Sequence, residues 1–228
     1  MAARRRLRRI SSAQKGLRKD PVTDHRLALR DRFQHVVSDK FELRRITGKP
    51  SIWFQSKTLT RLSSRCRDFI AASPFMIIAS TAAAGAVHAS PRGDPAGFVH
   101  VLDDATLAIP ERPGNRRCDT LQNILERPAV GLIFLVPGRA ETLRICGHAV
   151  VVRDREMREC LTLGGRLPEL VTVVAIERAF FHCARCIRRS KLWEIGGLPG
   201  VSLSELRTAE LCADVLAGAA SGDSAVTH

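Results

Sequence analysis

The residue pattern with the clearest chemistry is a pair of arginines, Arg116 and Arg117, placed just before a predicted helix that starts at about Asp119. The first turn of a helix presents free N–H groups and about half a positive charge, which favours a bound anion. Guanidinium groups add charge-assisted hydrogen bonds to phosphate oxygens. The sequence therefore predicts either a phosphate clamp at this helix start or a solvent-exposed basic loop.

Three further side chains give weaker signals. Arg92 stands in the predicted turn over residues 90–95, where it either binds an anion or pairs with Asp94. Arg144 lies on a predicted strand, on the face opposite the apolar residues, and points either to solvent or into a polar site. Trp193 either packs on the body of the domain or covers a planar ligand.

Several classes of chemistry are not expected from the motifs. Cys183 and Cys186 form a C-x-x-C pair, but a structural zinc site requires four ligands and the sequence offers no second pair at suitable spacing. A thioredoxin-type site would require a βαβ context. The sequence contains no P-loop, G-x-G-x-x-G, G-x-S-x-G or H-E-x-x-H motif, which argues against ATP hydrolysis, Rossmann dinucleotide binding, serine hydrolase and zincin chemistry. We assign no metal ligand and no catalytic residue.

The hydrophobic pattern predicts a mainly β domain with flanking helices, an α+β fold built on a barrel or half-open barrel. Apolar runs of strand length, separated by turn residues, predict strands over 75–80, 86–89, 97–102, 106–110, 129–136, 142–152 and 170–181. Helical spacing predicts helices within 36–72, with a break at 48–50, and over 119–127, 153–163, 183–191 and 204–216. Asp119, with Gln122 three residues later, predicts a variant capping box.

The distribution of charge sets the expected domain limits. The chain has 228 residues and a net charge of +13, and residues 1–45 hold 14 Lys and Arg against 5 Asp and Glu, which leaves +4 for the remainder. We expect a basic, disordered arm over 1–35, a barrel domain over 36–195, and a C-terminal helix with a flexible tail over 196–228. The arm is either a solvated tail or a segment that contacts nucleic acid or an acidic surface. A body of charge +4 does not require a nucleic acid partner.

Cysteine content and hydropathy predict a cytoplasmic protein without a membrane segment. The seven cysteines are odd in number and scattered along a long chain, which argues for reduced thiols rather than a disulfide scaffold. The longest uncharged run, Phe69–Val87, is interrupted by polar residues, proline and glycine. Spanning a bilayer takes about 20 apolar residues, so this run is too short and too interrupted.

With these pieces placed, the sequence resembles the pyridoxamine 5′-phosphate oxidase-related, FMN-binding split-barrel family over about residues 40–195. One bacterial subgroup carries the signature SPRGDPPGFV…LDD.TL.IP.RPGNRR.DTL.NIL, which is matched here between Ser90 and Leu125. Two places depart from the subgroup: His88-Ala89 stands where it often has Asp-Val, and Ile145-Cys146 where it often has Val-Asn. If either place touches the flavin or the substrate, affinity or activity will differ from that of the subgroup.

The resemblance implies a six-stranded split barrel and a homodimer that holds FMN at its interface. It implies that the strand over 75–80 and the loop from Ser90 line the flavin, that the Arg116–Arg117 pair binds its phosphate, and that Arg185 and Trp193 reach it from the second subunit. The candidate cofactor-binding residues are Ser90, Arg92, Asn115, Arg116, Arg117, Gln122, Asn123, Arg144, Arg185 and Trp193.

The function implied by the resemblance is that of an FMN-dependent oxidoreductase with a small-molecule redox substrate. The pyridoxamine phosphate substrate of the family is not carried over, because the sequence gives no independent sign of that site. The alternative is a non-catalytic split barrel that binds a flavin, a deazaflavin or haem as a sensor or store, or a binding protein that uses its basic arm.

Overall fold

The computed structural model of the protein describes residues 29–49 and 58–194. The chain divides into two compact units, Met1–Gln55 and Ser56–His228, and each is described by itself. The predicted helix over 204–216 lies outside the described residues, as does most of the predicted arm. The expected domain limits stay a prediction.

In the first unit, helix α1 spans Lys40–Thr47. Asp39 caps its start, since the Asp39 carboxylate accepts hydrogen bonds from the backbone N–H groups of Phe41 and Glu42. The helix ends at Gly48, whose φ of 74° is the left-handed conformation that glycine adopts without strain. The sequence-based expectation of a helical segment that breaks at 48–50 is confirmed at this end.

The second unit is a seven-stranded antiparallel sheet with flanking helices. Its strands are β1 Phe75–Thr81, β2 Val87–Gly93, β3 His100–Asp103, β4 Thr106–Pro110, β5 Ala129–Leu135, β6 Thr142–Val152 and β7 Val171–His182. Its described helices are α2 Ser64–Ala71, α3 Asp119–Glu126, α4 Arg155–Cys160 and α5 Arg185–Ser190. The strand order is β2-β1-β5-β6-β7-β4-β3. The expected fold class, mainly β with flanking helices, is confirmed; the hydrophobic pattern placed all seven strands, one more than the family resemblance implied.

Alternation of side chains along the central strands builds the core. On β1 every second residue is buried, and β5 follows the same pattern. The register places Met76 opposite Phe134 and Ile78 opposite Leu132, so the apolar side chains stack on one face. Because side chains on a strand point alternately to the two faces, this period of two forces the sheet to present one apolar face to the interior.

The sheet curls so that its first and sixth strands approach each other. β2 and β4 are far apart in the strand order, yet two ion pairs join the end of β2 to the residues after β4. The Arg92 Nη2 lies 3.1 Å from the Glu111 Oε2, and the Arg112 Nε lies 2.5 Å from the Asp94 Oδ2. Side chains therefore hold together two parts of the sheet that share no backbone ladder in the described structure.

The turn predicted over residues 90–95 starts later in the structure, after Gly93. Residues 90–93 continue strand β2 and pair with β1, with Pro91 opposite Ile77 and Gly93 opposite Phe75. Proline and glycine suggested a turn, but β2 is an edge strand, and an edge strand tolerates a residue that cannot donate a hydrogen bond outward. The strand assignment matters for the site, because it fixes which side chains share a face.

Gly147 is required where β6 crosses a bulge in β7. The register shifts between Cys146, opposite Arg178, and Gly147, opposite Ile176. A Cβ at Gly147 would lie 2.0 Å from the Ala175 carbonyl oxygen, which is a backbone atom and cannot move aside cheaply. The close approach of the two backbones therefore excludes any side chain at this position.

We expect Gly147→Ala to lower the free energy of unfolding by at least about 1–3 kcal/mol, the range typical of overpacking in a core. Gly131→Ala is the matched control, because Gly131 pairs with Cys146 on the neighbouring strand and its added Cβ meets only the Ala79 Cβ at 4.0 Å. Urea unfolding of both variants measures the difference. Equal stability of the two would contradict the close backbone approach.

Candidate functional site

A cavity of about 760 Å³ opens where strand β2, the loop after β4, the start of α3 and the segment before β7 meet. Its volume lies within the range of about 300–1,000 Å³ typical of small-molecule sites. It is lined by His88, Ala89, Ser90, Pro91, Arg92, Glu111, Arg112, Pro113, Gly114, Asn115, Arg116, Arg117, Cys118, Asp119, Thr120, Leu121, Arg166, Leu167, Glu169 and Leu170. The stretch from Ser90 to Arg117 thus supplies half of the lining residues.

The strand wall of the cavity follows from the alternation of β2. His88, Ser90 and Arg92 are partly buried, while the residues between them are exposed. These three side chains therefore share one face of the edge strand. His88 stands at one of the two places where the sequence departs from the subgroup signature, and it lines the cavity.

The loop wall is held in an uncommon backbone conformation. Arg116 has a φ of 62° and Cys118 a φ of 57°, both in the left-handed region that non-glycine residues rarely adopt. The side-chain oxygen of Asn115 accepts a hydrogen bond of 3.1 Å from the backbone N–H of Arg117, which stabilises the turn between them. Such strained positions persist where the surrounding structure fixes them, and they concentrate at binding sites.

The start of α3 differs from the predicted capping box. The helix begins at Asp119, but its N-cap residue is Cys118 and no side chain caps its first N–H groups. The Asp119 Oδ2 instead lies 3.3 Å from the His88 Nε2 and 3.0 Å from the Arg117 Nε. The capping box was wrong because Asp119 is the first residue of the helix and not its N-cap, and its carboxylate is engaged by His88 and Arg117. The uncapped first turn therefore meets the cavity at Thr120 and Leu121.

Two arginines at the base of the cavity, Arg92 and Arg112, are fixed by carboxylates. Arg92 forms an ion pair with Glu111 rather than with Asp94. Glu111 also accepts a 2.9 Å hydrogen bond from the Thr172 hydroxyl. Asp94 bonds Arg112 instead. The Nε of Arg92 is buried and has no hydrogen-bond partner in the described structure. A buried donor without a partner marks a place where a ligand acceptor would be stabilised.

Two other arginines that line the cavity, Arg116 and Arg166, are available to bind an anion. Within the described ranges, the Arg116 and Arg166 side chains have no carboxylate in ion-pairing distance, whereas Arg117 pairs with Asp119. Arg166 was not among the residues selected from the sequence. The signal that could have found it is Gly164-Gly165, a tight-turn dipeptide directly before it.

Five of the predicted cofactor-binding residues lie outside this cavity. Gln122 is exposed, and the Asn123 side chain is buried and donates a 3.0 Å hydrogen bond to the Ser80 hydroxyl, which ties α3 to β1. The Arg144 guanidinium lies 5.5 Å from the centre of the Phe180 ring. Strand β1, which was expected to line the flavin, contributes no residue to the cavity wall.

Arg185 and Trp193 belong to another part of the second unit. Arg185 is exposed at the start of α5, and the Trp193 indole N–H donates a 2.6 Å hydrogen bond to the Arg139 carbonyl. Their predicted role concerns a second subunit and stays a prediction. Cys183 and Cys186 are both exposed, and no group of three or more metal-ligating side chains occurs within the described residues. None of the described helices is long and apolar enough to cross a membrane.

The model of one family, described as pyridoxamine 5′-phosphate oxidase, matches residues 62–183. The chain belongs to the pyridoxamine 5′-phosphate oxidase family. The matched residues include all seven strands of the sheet and every residue that lines the cavity. No curated protein matches the sequence.

Solved structures with a similar fold are distant from this member of the family. A variant of Group A Streptococcus HupZ is 19% identical, with 53% of this chain and 98% of that chain covered and a TM-score of 0.45. A Clostridium acetobutylicum protein related to general stress protein 26 is 12% identical, with coverages of 52% and 85% and a TM-score of 0.41. The FAD-binding protein from Mycobacterium smegmatis is 16% identical, with coverages of 54% and 97% and a TM-score of 0.37. Membership of the family rests on the match over residues 62–183.

We expect Glu111→Gln to lower the free energy of unfolding by about 1–3 kcal/mol, because it leaves the Arg92 guanidinium without its charged partner in a largely buried place. Glu169→Gln is the control, since Glu169 also pairs with arginines but its side chain is 74% exposed. We expect that change to stay within about 0.5 kcal/mol. Thermal or urea unfolding compares them, and a control as damaging as Glu111→Gln would argue against a structural role for the Arg92 pair.

Proposed function

We propose that the protein is a homodimeric FMN-binding flavoprotein that acts as an oxidoreductase on a small molecule. The observation that carries the proposal is the wall of the cavity in this member of the pyridoxamine 5′-phosphate oxidase family. There the uncapped start of α3 adjoins Arg116, whose guanidinium has no carboxylate partner among the described residues. A helix N-terminus with an adjacent arginine is suited to a phosphate group.

The side chains around the cavity fit a phosphorylated, partly apolar ligand. Arg116 and the first N–H groups of α3 would hold the phosphate, and the unpartnered Arg92 Nε offers a further donor. Pro91, Leu121 and Leu167 supply apolar surface for a ring system. The carboxylates of Glu111 and Asp119 are each paired with an arginine, Arg92 and Arg117 respectively, which lowers their repulsion of an anion.

When bound, FMN supplies the electron transfer, and the protein supplies binding, orientation and electrostatics. The Asn115 contact fixes the loop that presents Arg116, so the phosphate ligands are arranged before the cofactor enters. The His88 imidazole and Asp119 carboxylate lie at hydrogen-bonding distance on the cavity wall and would hold a proton near the substrate.

The proposed homodimer is supported by the surface beside the cavity. Members of the family are commonly dimeric. Val87 on the edge strand β2 and Leu125 on α3 are 77% and 76% exposed, although both are large and apolar. Burial of such side chains between two copies would be favourable. We place the protein in a cytoplasm, where the six cysteines found free in the described residues would stay reduced.

We expect the purified protein to be yellow, with the absorption band of oxidised flavin, and to release FMN on denaturation. Mass analysis of the released compound distinguishes FMN from a deazaflavin or haem. Bleaching of the band by a nicotinamide donor, followed by reoxidation with an acceptor, would separate an oxidoreductase from a flavin store. A colourless protein that takes up no FMN in titration would rule out the proposal.

We expect Arg116→Ala to weaken FMN binding by about 1.5–3 kcal/mol, roughly a 10- to 150-fold rise in Kd, because a charge-assisted bond to the phosphate is lost. Arg117→Ala should change it by less than about 1 kcal/mol, since Arg117 already pairs with Asp119 at the surface. Arg155→Ala, at an exposed arginine outside the cavity, is the charge control. Fluorescence titration with FMN measures all three, and unchanged affinity in a folded Arg116→Ala variant would contradict the phosphate site.

A further inference from the structure

A short hairpin before β7 presents an arginine to the cavity. Leu163 and Arg166 pair as an antiparallel bridge, with backbone hydrogen bonds of 3.2 Å and 2.9 Å between them. Gly164 and Gly165 between them have φ values of 54° and 73°. Two consecutive residues in the left-handed region form the tight turn that a two-residue hairpin requires, and glycine adopts it without strain.

The base of this hairpin is anchored on both sides. Leu161 is buried, and its carbonyl oxygen accepts a 3.1 Å hydrogen bond from the Arg112 Nη1. Pro168 is buried as well, and its carbonyl oxygen accepts a 2.6 Å hydrogen bond from the Arg158 Nε. Both ends of the hairpin are therefore held by side chains of the body of the unit, so Arg166 is presented from a supported loop.

The charge on Arg166 is not neutralised by the structure described. Glu169 is the nearest carboxylate along the chain, and it pairs with Arg153 and Arg158 instead. Arg112 beside the hairpin base is bound to Asp94. Arg166 therefore offers an uncommitted guanidinium on the cavity wall, and Leu167 next to it adds apolar surface.

We infer that Arg166 forms a second anion subsite, which binds the carboxylate or phosphate of the small-molecule substrate. The inference rests on the proposed function, in which Arg116 and the start of α3 take the cofactor phosphate. The two free arginines stand on different walls, one on the loop after β4 and one on the hairpin before β7, so one cavity can hold two anionic groups. A planar guanidinium bonds carboxylate and phosphate in the same bidentate manner. The substrate class is an organic anion with an apolar body.

The test is a calorimetric titration of the FMN-loaded protein with inorganic phosphate and, separately, with benzoate. Arg166→Gln should weaken binding of both anions about tenfold or more, while the Kd for FMN stays within about threefold of the wild-type value. Arg166→Lys should keep phosphate binding better than benzoate binding, because lysine retains the charge but not the planar fork. Arg155→Gln, an exposed change of the same charge, should alter neither anion. Circular dichroism confirms that the variants are folded.

Three results would overturn the inference. The first is equal anion binding by wild-type protein and Arg166→Gln, and the second is no anion binding by loaded wild-type protein. The third is a loss of FMN in Arg166→Gln as large as that in Arg116→Ala, which would assign Arg166 to the cofactor. If wild-type protein takes up no FMN, the proposed function fails, and phosphate titrations of cofactor-free Arg116→Ala and of the Arg116→Ala, Arg166→Gln double variant then test Arg166 by itself. Equal phosphate affinity of these two proteins would overturn the inference.

Discussion

The site depends on two crossed ion pairs that close the curled sheet. Arg92 with Glu111, and Asp94 with Arg112, connect the edge strand β2 to the loop after β4, and all four side chains are largely buried. Removing one partner would leave an unpaired charge in a place with little water, which is strongly unfavourable. The pairs therefore fix the base of the loop that carries Arg116. The buried Thr172 hydroxyl extends the network into β7 through Glu111.

The same network explains why some of the arginines that line the cavity are engaged by carboxylates while others can bind a ligand. Arginines at the base of the loop are engaged with carboxylates, and they act as structural elements. Arg116, in the loop after β4, and Arg166, beside the turn of its hairpin, have no carboxylate partner among the described residues. Left-handed backbone at Arg116 and Cys118 turns the loop sharply before α3 and leaves its first turn uncapped. Each such conformation costs about 1–3 kcal/mol, which the anchored base of the loop offsets. In the cavity, the arginines that stabilise the fold are therefore different residues from the arginines that can bind an anion.

Local patterns predicted most of the secondary structure. All seven strands and the described helices fall close to their expected places, because period-two burial and helical spacing are properties of neighbouring residues. Errors occur where a distant residue decides. Ser90–Gly93 continues a strand because β2 lies at a sheet edge that accepts Pro91, and the Asp119 carboxylate is engaged by His88 on the distant strand β2. Nothing within a window of a few residues contains that information.

The sequence by itself determined the apolar strands, the helix after the paired arginines, and the family that the chain belongs to. It also placed Ser90, Arg92, Asn115, Arg116 and Arg117 together in one stretch, and these five meet at one cavity. Only the tertiary structure decided which arginines are neutralised, because an ion pair between Arg92 and Glu111 forms across a sheet whose curvature no local pattern specifies. It likewise brought Arg166 to the cavity from about 50 residues further along the chain than Arg116, since the antiparallel pairing of β4 with β7 joins the two loops at their base.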